Sequence, residues 1–155
     1  MSNDYVVTAN DNLADELSRV GERDSVVRAW VTRHDDEKII NAFKTAPDGL
    51  LSGWTIGVKD VIDTFDLPTE RGSPIYKHHQ PVSDAACVAM AREAGAVVTG
   101  KTVTTEFALF TPNMTTNPHD SNRTPGGSSS GSAAAVADRQ VRAAFGTQTV
   151  GSVIR

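Results

Sequence analysis

The chain has little cysteine: Cys87 stands alone in 155 residues, so no disulfide can form within it. A lone thiol fits a reducing, intracellular setting, and a cytoplasmic location is the expectation. Cys87 lies among Ala86, Val88 and Met90 and reads as a small core residue rather than a nucleophile. Basic charge is also short: 15 Lys and Arg face 19 Asp and Glu, a formal net charge of -4. With no basic patch, neither nucleic acid nor an anionic membrane is an expected partner. No apolar run reaches the roughly 18 residues of a membrane span, and Met1 to Asn10 carry no secretory pattern. No internal repeat is present. The pair His78-His79 has no companion Cys or His at metal-ligand spacing, so it reads as solvated surface.

What is present is enough for one domain with a core. Apolar residues make up 39% and charged residues 22%, and the mean hydropathy of -0.29 is that of a globular chain. The pattern predicts an α/β fold. Helices are expected over residues 11–20, from Asp35-Asp36-Glu37 to about 46, after Ser83 as N-cap with Asp84 in the first turn, and over 128–138. Pro47 and Gly49 end the second helix, and Gly95 closes the third. Short apolar strands are expected at 26–32, 54–61, 96–99 and 143–147. Helices between apolar strands favour a sheet with crossover helices.

The most informative stretch is Gly126-Gly127-Ser128-Ser129-Ser130-Gly131-Ser132-Ala133-Ala134-Ala135-Val136-Ala137. Glycines permit sharp or left-handed backbone, serines supply hydroxyls, and the alanines favour helix. A flexible linker would not pass straight into a helix former. The run reads as a polar loop delivered onto a helix N-terminus, where free N–H groups gather. A second motif misleads: Gly95-Ala96-Val97-Val98-Thr99-Gly100-Lys101-Thr102 fits the phosphate-cradling pattern G-x-x-x-x-G-K-[ST]. That loop must follow a strand and open a helix. Here it follows a helix, and its two valines want to be strand.

Two further segments matter: Gly57-Val58-Lys59-Asp60-Val61-Ile62-Asp63-Thr64, and Gly146-Thr147-Gln148-Thr149-Val150-Gly151-Ser152-Val153-Ile154-Arg155. Alone, a strand-end lysine usually snorkels to solvent, and a Gly-Ser pair is weak evidence. Together with the Gly/Ser/Ala run and the segment 94–102, in this order and at these separations, they resemble the amidase signature family over residues 50–155. The resemblance implies a mixed central sheet covered by helices, the amidase signature fold. It also implies that Gly100-Lys101-Thr102 belongs to a structural strand and loop, which removes the phosphate-loop reading.

The resemblance further implies a Ser–Ser–Lys triad: Ser152 as nucleophile, Ser128 as the bridging serine after a cis Gly127–Ser128 peptide, and Lys59 as base. Backbone N–H groups of Thr149, Val150, Gly151 and Ser152 would form the oxyanion hole. No cofactor and no metal are implied. The expected partner is a small-molecule amide, with a homodimer left open. Ser129 is a candidate for substrate binding, Ser130 and Ser132 for helix capping. Asp60 and Asp63 are expected to serve the strand-end loop through backbone hydrogen bonds, and Arg155 to brace the nucleophile.

Against the family pattern the chain is short, stopping three residues after Ser152. It is expected to be the N-terminal portion of a longer amidase, truncated after the nucleophile. Residues 1–50 would form an N-terminal helical region, and 51–155 a catalytic core segment. The expected activity is hydrolysis of a linear carboxamide. One alternative is the glutaminase-type subunit of a tRNA-dependent amidotransferase, which usually shows Asp at the place of Gln148 and Gly at that of Val150. The other is a non-catalytic scaffold or binding module.

Overall fold

The computed structural model describes residues 9–154. Eight principal elements follow in chain order: α1 (Ala9–Val27), β1 (Trp30–Arg33), α2 (Asp36–Thr45), β2 (Thr55–Lys59), α3 (Ala86–Glu93), β3 (Val97–Thr102), α4 (Ser130–Ala137) and β4 (Ala143–Phe145). The strands form one sheet in the order β1-β3-β2-β4. β2 is parallel to both β3 and β4, and β1 is antiparallel to β3. Parallel neighbours need a crossover; α3 supplies the one from β2 to β3, and α4 lies in the one that leads to β4. The expected mixed sheet covered by helices is therefore the observed architecture.

The alternation of side chains along β2 splits the protein into layers. Ile56 and Val58 face α3 and pack with Val88, Ala91 and Val98. Thr55 and Lys59 face the other way: Thr55 donates a hydrogen bond to Glu16 of α1, and Lys59 reaches Ser128 just ahead of α4. Val27, Ala29, Ala134, Ala135 and Val141 form a second apolar cluster beside α4, and Leu13, Ile39 and Val97 a third under α1 and α2. The small residues of α4 allow its backbone to come close to the sheet. A Cβ on Gly131 would lie 2.2 Å from Val103 N and 2.3 Å from Ala29 O, so no other residue fits without moving backbone.

Local signals decide some boundaries and tertiary contacts decide others. α2 begins as expected, with the Asp35 carboxylate accepting from Lys38 N at 2.7 Å. α3 does not begin at Ser83: its N-cap is Ala85. Asp84 instead accepts from Phe65 N at 2.9 Å and pairs with Arg92 at 3.0 Å, so a tertiary clamp takes the acid that could have served the first turn. Cys87 is exposed rather than in the core. α3 buries Val88 and Ala91, three residues apart, which turns Cys87 and Met90 outward. α1 runs past the expected end at 20 because Arg19 and Arg23 grip the buried Asp138 and Val27 is fully buried. The first strand accordingly starts at Trp30 instead of 26. Gly95 does end α3, with φ +97. Among the described residues no helix is long and apolar enough to cross a membrane. The Arg155 expectation, and most of the segment Met1 to Asn10, lie outside the described residues.

Candidate active site

Three chain segments meet at the carboxyl end of β2. The first is β2 itself, which ends in Lys59, a residue with no solvent exposure. The second is the loop into α4, which carries a cis Gly127–Ser128 peptide, as expected. Ser128 O accepts from Thr105 N at 3.1 Å, and Ser128 itself is only 2% exposed. The third is the loop after β4, which carries Thr147 and Ser152. Ser129 N donates to Ser152 O at 3.2 Å, tying the second segment to the third.

At the centre, Lys59 Nζ lies 2.7 Å from Ser128 Oγ and 2.8 Å from Thr147 Oγ1. Among the described residues, no carboxylate pairs with it. Burial penalises the ammonium form and lowers the Lys59 pKa from 10.5 to about 8. Two hydroxyls and an amine of lowered pKa are thus hydrogen-bonded together, and one of them, Ser128, opens on a groove of about 270 Å³. Phe107, Leu109, Phe110, Gly127, Ser128 and 149–152 line it. Ser152 is half-buried there, and its hydroxyl has no partner among the described residues. No hydrogen bond joins it to Ser128, so the structure brings the two serines into one groove and directly couples Ser128 to Lys59.

The wall made by Thr149, Val150, Gly151 and Ser152 presents backbone N–H groups with no acceptor among the described residues. Gln148 explains why the turn holds its shape: its Oε1 accepts from Val153 N at 3.1 Å and Ile154 N at 3.3 Å. Those two amides are satisfied, and the four before them stay free. Donors of this kind can receive a developing oxyanion.

The flanking serines differ from expectation. Neither Ser130 nor Ser132 caps α4. Ser130 Oγ accepts from Asn113 Nδ2 at 3.0 Å, and Ser132 Oγ donates to Phe145 O at 2.9 Å while touching Thr102 Oγ1 at 2.7 Å. Both stitch α4 to the structure around it, because a helix packed this closely needs its buried hydroxyls satisfied. Ser129 Oγ donates to Thr147 O at 3.2 Å and accepts from Thr147 N at 3.3 Å. Asp60 serves the strand-end loop as expected, accepting from Glu70 N at 3.1 Å; Asp63 accepts from Ala85 N through its main-chain oxygen. His78 and His79 are exposed. Among the described residues no group of three or more His, Cys, Asp or Glu could hold a metal ion.

Sequence reasoning missed two features. Thr147 is the second partner of Lys59; its only signal was a hydroxyl one residue beyond the glycine that ends a strand. Lys101 is the other. It is fully buried, 2.8 Å from Ile62 O, 2.6 Å from Thr69 Oγ1 and 3.5 Å from Asp60 Oδ1. A lysine locked into the protein this way has no reach to a phosphate, and Gly100-Lys101-Thr102 is strand.

The site is thus a buried lysine at the end of a strand of a mixed sheet, hydrogen-bonded to a serine that follows a cis peptide. Comparison with known proteins specifies the family. The family model described as Amidase matches residues 14–155, and the chain belongs to that family. It is 39% identical over 162 residues to a chloroplastic/mitochondrial glutamyl-tRNA(Gln) amidotransferase subunit of Zea mays, covering 94% of this chain and 30% of that protein. It is 46% identical over 122 residues to the corresponding protein of Solidesulfovibrio magneticus, covering 75% of this chain and 25% of that one. Among solved structures, the native peptide amidase of Stenotrophomonas maltophilia superposes with a TM-score of 0.81 at 31% identity, over 96% of this chain and 34% of that one. The chain thus spans about a third or less of the length of the relatives it matches.

Proposed function

We propose that the protein is an amidohydrolase that cleaves a linear carboxamide C–N bond through a serine acyl-enzyme, giving a carboxylate and ammonia or an amine. The observation that carries this is the 2.7 Å contact between Lys59 Nζ and Ser128 Oγ, made by a buried lysine that lacks a carboxylate partner among the described residues. In the proposed sequence Ser152 Oγ attacks the amide carbonyl. Its proton passes to Ser128, and the Ser128 proton passes to neutral Lys59. The free N–H groups of 149–152 receive the oxyanion. Collapse breaks the C–N bond, the leaving nitrogen takes a proton back along the same route, and water hydrolyses the acyl-serine. The membership in the amidase family and the likeness to a peptide amidase support amide hydrolysis as the reaction type.

A second reading within the same chemistry is a glutaminase-type component of an amidotransferase, and the amidotransferase relatives favour it. Gln148 and Val150 favour the stand-alone amidase, since the glutaminase type usually carries Asp and Gly there. Glutamine hydrolysis that depends on tRNA and on a partner protein separates the two.

The test of the proposal is a serine-directed fluorophosphonate on the full-length protein. Ser152→Ala should abolish both labelling and amide hydrolysis, with the fold kept. Wild-type turnover in Ser152→Ala would contradict the assignment, and a folded wild type that is never labelled would favour a scaffold.

A further inference from the structure

We infer that Thr147 is a positioning residue for Lys59: its hydroxyl oxygen accepts one amine hydrogen and so aims the Lys59 lone pair at Ser128 Oγ. The inference rests on the proposed function and deepens it. A neutral amine has two N–H donors and one lone pair. If Lys59 is to take the Ser128 proton, their contact must be O–H donating to nitrogen. An N–H of the buried amine then needs another acceptor, and leaving it unmade is expensive. The structure offers Thr147 Oγ1 at 2.8 Å for that purpose.

Three further observations fit an aiming device rather than a chance contact. Rotation about Cε–Nζ is soft, so one contact cannot fix where the lone pair points; a second fixed acceptor can. Thr147 is itself fixed on both sides of its backbone by Ser129, whose Oγ meets Thr147 O at 3.2 Å and Thr147 N at 3.3 Å. Ser129 N also holds Ser152 O at 3.2 Å, so one buried serine sets both the stretch that bears Thr147 and the stretch that bears Ser152. The approach is close: a Cβ on Gly146 would lie 3.0 Å from Ser129 Oγ. Thr147 is also neutral. A carboxylate in its place would hold Lys59 as ammonium and remove the base, whereas a hydroxyl orients the amine without fixing its charge.

The experiment follows the rate at which a fluorophosphonate probe labels the full-length protein between pH 6 and 10. In this reaction Ser152 Oγ forms a P–O bond, the P–F bond breaks and fluoride leaves, and the serine proton travels through Ser128 to Lys59. Thr147→Ser keeps the hydroxyl and should label within about threefold of wild type. Thr147→Val keeps the shape, loses the oxygen, and should label about 10–100-fold more slowly at the alkaline plateau. Its midpoint should also move down by about half a pH unit, because the lost acceptor favoured ammonium over amine. If valine does not fold, Thr147→Ala removes the same oxygen and is read against serine in the same way. Wild-type rate and midpoint in the valine variant overturn the inference. So does equal loss in the serine and valine variants, or a midpoint that rises toward that of an ordinary lysine, which marks a loosened, wetter site. Labelling that survives Ser152→Ala at wild-type rate strikes the functional reading itself, and this inference with it.

Discussion

Lys59 and Lys101 stand on adjacent parallel strands, both with no solvent exposure, and they live in opposite chemistry. In the register of β2 and β3, Lys101 sits opposite Val58 and Lys59 opposite Thr102, so their side chains leave from opposite faces of the sheet. Lys101 finds Asp60 at 3.5 Å, a carbonyl and a threonine hydroxyl. Burial holds its pKa below the ordinary value, and the Asp60 carboxylate offsets only part of that fall. Lys59 finds two hydroxyls and, among the described residues, no carboxylate, and its pKa drops to about 8. A buried ammonium is costly unless paired. In the proposed mechanism the partner, rather than burial alone, decides whether such a lysine becomes a strut or a proton acceptor.

The strongest break in that comparison is Lys59→Met. It should slow Ser152 labelling and amide turnover by about 10²–10⁴-fold, the usual worth of a positioned acid–base group, while the thermal midpoint stays near wild type. Adding Ser128→Ala should lower the rate far less than the product of the two single losses, because the groups act as a unit. Rates measured on the purified full-length variants check both statements.

Lys101→Met should do the converse. It leaves the Asp60 carboxylate fully buried with only backbone N–H donors such as that of Glu70, and breaking a buried pair from one side costs about 3–5 kcal/mol. Urea unfolding should show that loss, and adding Asp60→Asn should recover part of it. Whatever protein remains folded should label with the wild-type pH midpoint. A labelling defect as large as that of Lys59→Met, in a fold of normal stability, would erase the distinction between the two lysines.

The contrast also shows what the chain reveals to a reader of its residues. The strands β2 and β3, the start of α2 at Asp35 and the helix after the Gly/Ser run follow from local pattern and were legible. So were the motifs bearing Lys59, Ser128 and Ser152. What escaped depends on partners distant in sequence. Ser83 lost the cap because Asp84 is drawn to Phe65 and Arg92. Cys87 faces outward because α3 buries Val88 and Ala91 instead. Ser130 and Ser132 look like caps in sequence but satisfy Asn113, Thr102 and Phe145 across the fold. Thr147 lies 88 positions from Lys59, and nothing local ties the two. Lys101 imitates a phosphate-loop lysine until the sheet shows it pinned beside Asp60.

The central claim is that Lys59 acts as a neutral base because its burial is not offset by a carboxylate. The most direct measurement is the pH dependence of Ser152 labelling in the wild-type protein. Below the Lys59 pKa the amine is protonated and cannot accept, so the rate should climb about tenfold per pH unit on the acid side. It should level off above about pH 8, where the amine is neutral. A rate that falls steadily from pH 6 to pH 9, with the protein stable throughout, would contradict the account.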